Sequence, residues 1–386
     1  MKNTLQRITN PTLASPTNTP DSTIQHLGYL DGLRAVAAIY VVMHHIFLPM
    51  HWGSHPPHIL KLLTFLRLGR ASVDMFIVLS GFCLMLPVTN GNGFLKGSTA
   101  SFFKRRARRI LPTYYCALAL SIIAGCTFIS QKTDTLWSHS LPVDFKSILT
   151  HVFLMHDVLG DNHKINYVLW SIAVEWRIYF LFPVLLFLWR KFSPFAVTLT
   201  SVVISSILYC VLVNYVSEGL TIHYIGLFCM GMLGTTIAFS SAGTSKWRRF
   251  PWGLSIIGLG FALIFLNSDK LNSVITSEYA SLMIKDNLMG LWSMCILMYA
   301  TKADNVIYRV LNSRPMSWIG TFSYSIYLIH PIILQLVWLT LPSSLKTSPT
   351  LFFFSLIFVS VPAVILCSYG FFLLCERPFL RKKVIV

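Results

Sequence analysis

Charged residues are scarce in this chain: only 12% of its 386 residues are Asp, Glu, Lys or Arg, while 54% are hydrophobic. A soluble domain carries about twice that charged fraction, so the composition excludes a set of water-soluble globules. The eight cysteines stand singly in apolar runs without metal-ligand spacing, which excludes a cysteine metal site or redox pair. The sequence also lacks a Gly-rich P-loop, an HExxH helix and a GxSxG elbow, so ATP-driven and metal-assisted chemistry are disfavoured.

Long apolar runs bounded by Pro, Gly or charge predict an all-α, polytopic membrane helix bundle. We place ten transmembrane helices at 30–49, 73–88, 110–130, 167–189, 195–215, 220–240, 251–268, 287–301, 318–341 and 351–375. The apolar stretch 148–159 is too short to cross and is predicted to lie in a loop or at the interface. Around this transmembrane domain of residues 29–378, we expect a flexible cytoplasmic tail at 1–28 and a short basic cytoplasmic tail at 379–386.

The formal net charge of +17 is attributed to membrane topology. Nucleic-acid binding is excluded, because the sequence has no soluble basic surface to carry it. With both termini in the cytoplasm, the inner segments hold more than twice as many Lys and Arg as the outer ones, as the positive-inside rule requires. No Asn-x-Ser/Thr sequon with a permitted middle residue occurs, which favours a bacterial source. We therefore expect an integral, lipid-embedded protein of a bacterial cytoplasmic (inner) membrane.

Two basic residues, Arg34 and Arg177, fall inside predicted spans together with Glu175, and each of them needs a partner or a function there. Arg34 and His45 share one face of the first span, roughly 16 Å apart along its axis. Glu175 in the fourth span and His330 in the ninth are expected at the depth of His45, where a carboxylate would help an imidazole act as a general base. Arg177 lies on another face and is expected to pair with a neighbouring helix.

Other interpretations of these residues stay open. A membrane histidine often only bridges helices, and His330 before Pro331 could simply stabilise a kink. Arg34, His45 and Glu175 would also suit a proton-coupled secondary transporter.

A basic segment, residues 104–109, lies between the second and third predicted spans. Its five cations in six positions can be explained as a topology signal alone. Arg106 and Arg109, however, lie about one helical turn apart and could hold a phosphate between them, because the guanidinium group forms bidentate hydrogen bonds.

The order and spacing of several short motifs are specific, although each motif is weak alone. They are LDGLR at 30–34 followed by His45, VDMFIVLSGF at 73–82, RARRILP at 106–112, WSIAVE at 170–175, SYSIYLIHP at 323–331 and ERP at 376–378. Together they resemble the acyltransferase-3 family of integral-membrane O-acyltransferases, with Ile77 in place of a family Phe.

The resemblance implies an enzyme that moves an acyl group, usually acetyl, from cytoplasmic acyl-CoA to a hydroxyl of a carbohydrate, lipid-linked glycan or small metabolite. No metal is implied. The CoA phosphates would bind Arg105, Arg106 and Arg109, with Arg34 at the cavity mouth.

A catalytic division of labour follows from the motifs and the resemblance together. His45, oriented or charge-compensated by Glu175, would remove the acceptor proton or briefly hold the acyl group itself. Ser80 and Tyr327 would donate hydrogen bonds to the oxyanion. His330 is added to this set as a second candidate imidazole.

Overall fold

The computed structural model describes residues 27–49, 63–91, 93–217, 219–239, 249–266, 277–302 and 305–380. These residues form helices and turns, with no strand among them. The α-helices are α1 (Gly28–Phe47), α2 (Ala71–Thr89), α3 (Thr99–Cys126), α4 (Phe145–Val152), α5 (Trp170–Lys191), α6 (Pro194–Leu212), α7 (Tyr224–Phe239), α8 (Trp252–Leu266), α9 (Glu278–Ala300), α10 (Val306–Leu311), α11 (Arg314–Thr321), α12 (Ser323–Thr340) and α13 (Pro349–Phe371). The predicted tails at 1–28 and 379–386 lie almost wholly outside the described residues.

Seven of the described helices are long and apolar enough to cross a membrane: α1, α2, α3, α5, α6, α12, and α13 with its continuation to Phe379. Helices α7 and α8 are apolar but shorter. Helix α9 is long but carries Glu278, Lys285 and Asp286. The prediction of an all-helical integral membrane protein is confirmed; the ten predicted spans all overlap described helices, of which seven have the length and apolar character of a span.

Two predicted boundaries are wrong. Helix α3 begins at Thr99, where the Ser98 hydroxyl accepts a hydrogen bond from the Ser101 amide at 3.2 Å, so the basic segment is helical and continuous with the span. The ninth span is interrupted at Phe322 between α11 and α12. Helix α11 lies against α1 so closely that a Cβ added to Gly320 would be 2.0 Å from the Asp31 carbonyl oxygen.

Helices α2 and α7 make a close backbone contact through reciprocal glycines. A Cβ added at Gly81 would lie 2.1 Å from the Phe228 carbonyl oxygen, and one at Gly231 would lie 1.9 Å from the Val78 carbonyl oxygen. Small residues allow such approach between membrane helices. This contact fixes α2, which carries Ser80, on the inside of the bundle.

The short apolar stretch predicted at 148–159 does contain a short helix, α4, in the connection between α3 and α5. A capping box starts it, because the Asp144 carboxylate accepts from the Ser147 amide while the Ser147 hydroxyl accepts from the Asp144 amide. Its end is fixed to α3, since the Tyr114 hydroxyl donates to the His151 carbonyl oxygen at 2.8 Å.

Candidate active site

A polar cavity of about 290 Å³ lies among α1, α2, α3, α5 and α12. We call it the arginine cavity, after the three guanidinium groups that line it. Its polar lining includes Asp31, Arg34, Ser80, Cys83, Arg106, Arg109, Ser171, Glu175, Tyr179, Ser323, Tyr324, Tyr327 and Glu376. Six of the nine predicted site residues therefore surround one space.

The main hydrogen-bond partner of the Arg34 side chain lies on the same helix, α1. Its Nη1 donates to Asp31 Oδ1 at 2.6 Å, and its Nη2 donates to Cys83 Sγ at 3.1 Å. Residues three apart on a helix are neighbours, so the LDGLR motif supplies both the cation and its counter-ion. The guanidinium group stays at the cavity wall, with 22% of the side chain exposed.

Glu175 belongs to a short hydrogen-bonded chain in the arginine cavity. The Tyr179 hydroxyl donates to the Glu175 carboxylate and lies 2.9 Å from the Ser80 hydroxyl. Because the phenol proton goes to the carboxylate, Ser80 must be the donor to the phenol oxygen. The Ser80 proton is thus engaged in the free protein, so its predicted role as an oxyanion donor requires this bond to rearrange.

The basic segment separates into two groups. Arg106 and Arg109 line the cavity, and the Arg106 guanidinium lies 5.9 Å from the ring centres of Phe102 and Tyr179. Arg106 Nε is buried without a hydrogen-bond partner in the described chain. Arg105 points elsewhere and donates to the Ser101 hydroxyl and, at 2.9 Å, to the Lys96 carbonyl oxygen. Arg105, expected from the sequence to bind the CoA phosphates with Arg106 and Arg109, does not line the cavity, because adjacent helical residues diverge by about 100°.

A second cavity, of about 680 Å³, lies beside the first. We call it the histidine cavity; its polar and aromatic lining includes His44, His45, Arg67, Arg70, His139, Asn162, His163, Tyr167, Trp170, Tyr209, Thr221, Glu278 and Tyr279. Val73 and Tyr327 line both cavities. The two spaces therefore share a wall.

His45 and His330 form a directional pair. His45 Nδ1 lies 2.8 Å from His330 Nε2, and the rings are nearly parallel. His330 Nδ1 lies 2.8 Å from the Tyr327 carbonyl oxygen, which can only accept a hydrogen bond. In the neutral pair, His330 Nδ1 therefore carries the proton, its Nε2 accepts from His45 Nδ1–H, and His45 Nε2 keeps its lone pair. This is the tautomer that a general base needs.

The expected contact between His45 and Glu175 is wrong, because the two side chains line different cavities. Counting residues along two helices predicts similar depth but not the direction in which each helix turns its polar face. The partner of His45 is His330, and that of Glu175 is Tyr179.

Tyr327 stands in the shared wall with its hydroxyl engaged. The hydroxyl donates to the Val168 carbonyl oxygen at 3.1 Å and lies 2.7 Å from the Ser171 hydroxyl. As with Ser80, its predicted role as an oxyanion donor requires rearrangement of these bonds.

One charged cluster was not predicted from the sequence. The Arg70 guanidinium pairs with the buried Asp286 at 3.4 Å, and Asp286 also lies 2.9 Å from His223 Nε2. Asp286 lies within α9, one residue before the predicted span at 287–301. The sequence feature that could have predicted this cluster is an acidic residue directly beside a long apolar run.

Arg177 also has a partner that differs from the prediction. Instead of a neighbouring helix, it binds the connection between α4 and α5, donating to the Asp157 carboxylate and to the Leu154 carbonyl oxygen. Asp157 is fully buried, and burial raises the pKa of its carboxyl group.

Two stacked histidines, His151 at the end of α4 and His156 in the connection that follows it, are buried with their ring centres 3.9 Å apart. Burial lowers the pKa of His151 to about 4. Burial and the neighbouring His151 ring lower the pKa of His156 to about 2. Both rings are therefore neutral near pH 7.

Comparison with known proteins establishes the class. Residues 27–369 match the model of the acyltransferase domain of the acyltransferase-3 family. The chain belongs to this family, and the resemblance inferred from its motifs is confirmed, as is its assignment to an acyltransferase enzyme class.

Several curated proteins are similar over most of this chain. Peptidoglycan O-acetyltransferase OatA of Listeria monocytogenes is 26% identical over 326 residues, covering 79% of this chain and 49% of the relative. O-acetyltransferase OatA of Staphylococcus aureus is 25% identical over 340 residues, covering 80% and 51%. The putative peptidoglycan O-acetyltransferase YrhL of Bacillus subtilis is 23% identical over 352 residues, covering 80% and 49%. The chain thus spans about half the length of these relatives, and no solved structure matches it.

Proposed function

We propose that this protein transfers an acetyl group from cytoplasmic acetyl-CoA to a hydroxyl of a glycan at the outer side of a bacterial inner membrane. One observation carries the proposal. Arginines line a cavity on one side of the Tyr327 wall, and a histidine with a predicted free lone pair lines a cavity on the other. The names of two relatives, a peptidoglycan O-acetyltransferase and a putative one, support a glycan as acceptor.

Arg106 and Arg109 hold the phosphates of the donor in this proposal. The buried Arg106 Nε without a partner is the feature that a phosphate oxygen would satisfy. Asp31 already pairs with Arg34, so Arg34 is better suited to lining the path of the acyl arm than to binding a further anion.

His45 acts as the base. Its Nε2 accepts the proton of the acceptor hydroxyl as that oxygen forms a bond to the thioester carbonyl carbon. The carbon–sulfur bond then breaks, and His45 returns the proton to the departing thiolate. His330 holds His45 in the required tautomer by accepting from His45 Nδ1–H throughout.

Glu175 acts at a distance from the proton transfer. Its carboxylate fixes Tyr179, and through Tyr179 it orients Ser80 in the arginine cavity. We therefore assign Glu175 a positioning role in donor binding, in place of the role beside His45 that the sequence predicted.

The membrane topology belongs to the same proposal. Ten spans with both termini in the cytoplasm put the basic start of α3 inside and the connection between α3 and α5 outside. The arginine cavity then faces the cytoplasmic donor, and His139 and His163 stand at the outer opening of the histidine cavity.

The test uses sealed, inside-out membrane vesicles that contain the full-length chain and an accessible glycan acceptor. Acetyl-CoA labelled in the acetyl group should yield label covalently bound to glycan and released by mild base as acetate. His45→Ala vesicles with matched protein content are the control. A transporter would move label or protons without forming an ester, so unlabelled glycan in active vesicles would contradict the proposal.

A further inference from the structure

The histidine cavity has a polar corner that the mechanism above does not use. Tyr209 of α6 and Thr221, in the turn before α7, both line this cavity. Only 1% and 3% of these residues is exposed, yet neither hydroxyl has a hydrogen-bond partner of normal geometry among the described residues; the Arg70 guanidinium stands beside the Tyr209 hydroxyl without forming such a bond. Buried, unpaired hydroxyls are unfavourable, so two at one cavity indicate a polar ligand.

The charge beside this corner is balanced. Arg70 lies 5.5 Å from the Trp170 ring centre, and its Nε faces the Asp286 carboxylate at 3.4 Å. Asp286 does not line the cavity itself but compensates the Arg70 guanidinium from behind it, and Arg67 and Glu278, which do line the cavity, carry opposite charges. An incoming carboxylate or phosphate would therefore meet no uncompensated positive charge. The corner therefore favours a neutral ligand that forms hydrogen bonds.

Aromatic rings form much of the remaining wall, including Tyr167, Trp170 and Tyr279. Such rings present an apolar face and, in tyrosine and tryptophan, one polar atom. A pyranose has the matching character, because its C–H groups form apolar faces and its hydroxyls project from the edge. A volume of about 680 Å³ is in the range of sites that enclose a ligand larger than one sugar.

We infer that the histidine cavity binds a neutral oligosaccharide, and that the hydroxyls of Tyr209 and Thr221 bind a sugar unit away from the reacting hydroxyl. As a description of the acceptor, this inference rests on the proposed function. Binding itself requires no acyl transfer, so the two can fail separately.

The experiment measures binding by isothermal titration calorimetry on the detergent-solubilised full chain without any acyl-CoA. The probes are neutral trimers of β-linked N-acetylglucosamine, of glucose and of mannose, with trigalacturonate as the anionic comparison. At least one neutral trimer should bind saturably and more tightly than trigalacturonate. Tyr209→Phe and Thr221→Val should each weaken that binding roughly three- to tenfold, the range of one neutral hydrogen bond.

Thermal unfolding of the same variants separates ligand binding from a structural role. Since the two hydroxyls have no hydrogen-bond partner among the residues that the structure describes, their removal should leave the melting temperature unchanged or higher. Ser360→Ala is the matched control, because Ser360 is also buried and unpartnered but lies in α13, away from the lining of both cavities. It should bind the trimer as the wild-type protein does.

Three results would overturn the inference: no saturable binding of any neutral trimer, tighter binding of trigalacturonate, or equal binding by Tyr209→Phe, Thr221→Val and wild type. Loss of acyl transfer in the vesicle assay with trimer binding intact would instead contradict the proposed function alone.

Discussion

The arginine and histidine cavities satisfy their polar groups in different ways. In the arginine cavity, Arg34 and Glu175 each have a partner three or four residues away on the same helix, Asp31 and Tyr179 respectively. In the histidine cavity, His45 is bonded to His330, 285 positions along the chain. The partners of Arg34 and Glu175 thus follow from local helical spacing, whereas the partner of His45 depends on the complete fold.

The largest effect is expected from His45→Ala, which removes the only group that the mechanism uses as a base. Acetyl transfer should fall by about 10²- to 10⁴-fold, while acetyl-CoA affinity in the arginine cavity stays unchanged. Initial rates and equilibrium binding on purified, correctly inserted protein measure both. Near wild-type turnover would remove His45 from the mechanism.

Next in size is the dependence of His45 on its distant partner. His330→Phe takes away the acceptor for His45 Nδ1–H and should lower the transfer rate roughly 10- to 100-fold, with a change in the pH–rate profile.

His330→Gln is the matched variant, because its side-chain carbonyl oxygen can accept the same hydrogen bond. It should recover part of the rate. Equal rates for the Phe and Gln variants would show that His330 only packs against the helix, as the Pro331 kink hypothesis holds.

The arginine cavity is tested by Arg106→Lys combined with Arg109→Lys. Lysine keeps the positive charge that topology requires but loses the bidentate fork, so acetyl-CoA binding should weaken by about 1 to 2 kcal/mol.

Arg105→Lys supplies the control, since Arg105 binds the preceding turn and does not line the cavity. A cysteine-accessibility map should show both variants in the same orientation. Unaltered affinity in the double variant would leave these arginines as a topology signal only.

These contrasts explain which parts of the site the sequence could predict. Arg34 and Glu175 stand out because charge is rare in apolar helices, and periodicity correctly put the helices there. The partner of His45 could not be deduced, because similar depth does not fix which way two helices face. Tyr209 and Thr221 give no sequence signal at all, since a hydroxyl in an apolar helix or turn is ordinary until the fold leaves it unpaired beside a cavity.

The smallest expected effect is a loss of folding stability as the pH falls. His151 and His156 have pKa values lowered by burial to about 4 and about 2, against an ordinary value near 6.5. Below pH 6.5 the unfolded chain therefore binds more protons than the folded one, so their contribution to stability is complete above that pH and declines as pH falls. Between pH 7 and pH 6 the loss should be about 1 kcal/mol for the two together. Asp157 opposes it, because burial raises the pKa of that carboxyl and the folded state gains a proton more readily.

This acid effect acts on folding and leaves both cavities unchanged. With pKa values of about 4 and about 2, both rings stay neutral in the folded protein at pH 6, and only the unfolded chain gains protons. Lowering the pH from 7 to 6 should therefore lower the melting temperature, measured by thermal unfolding. His156→Phe keeps a stacked ring without a titrating nitrogen and should reduce the pH dependence of melting by about half. An unchanged pH dependence in that variant would place the acid-sensitive groups elsewhere.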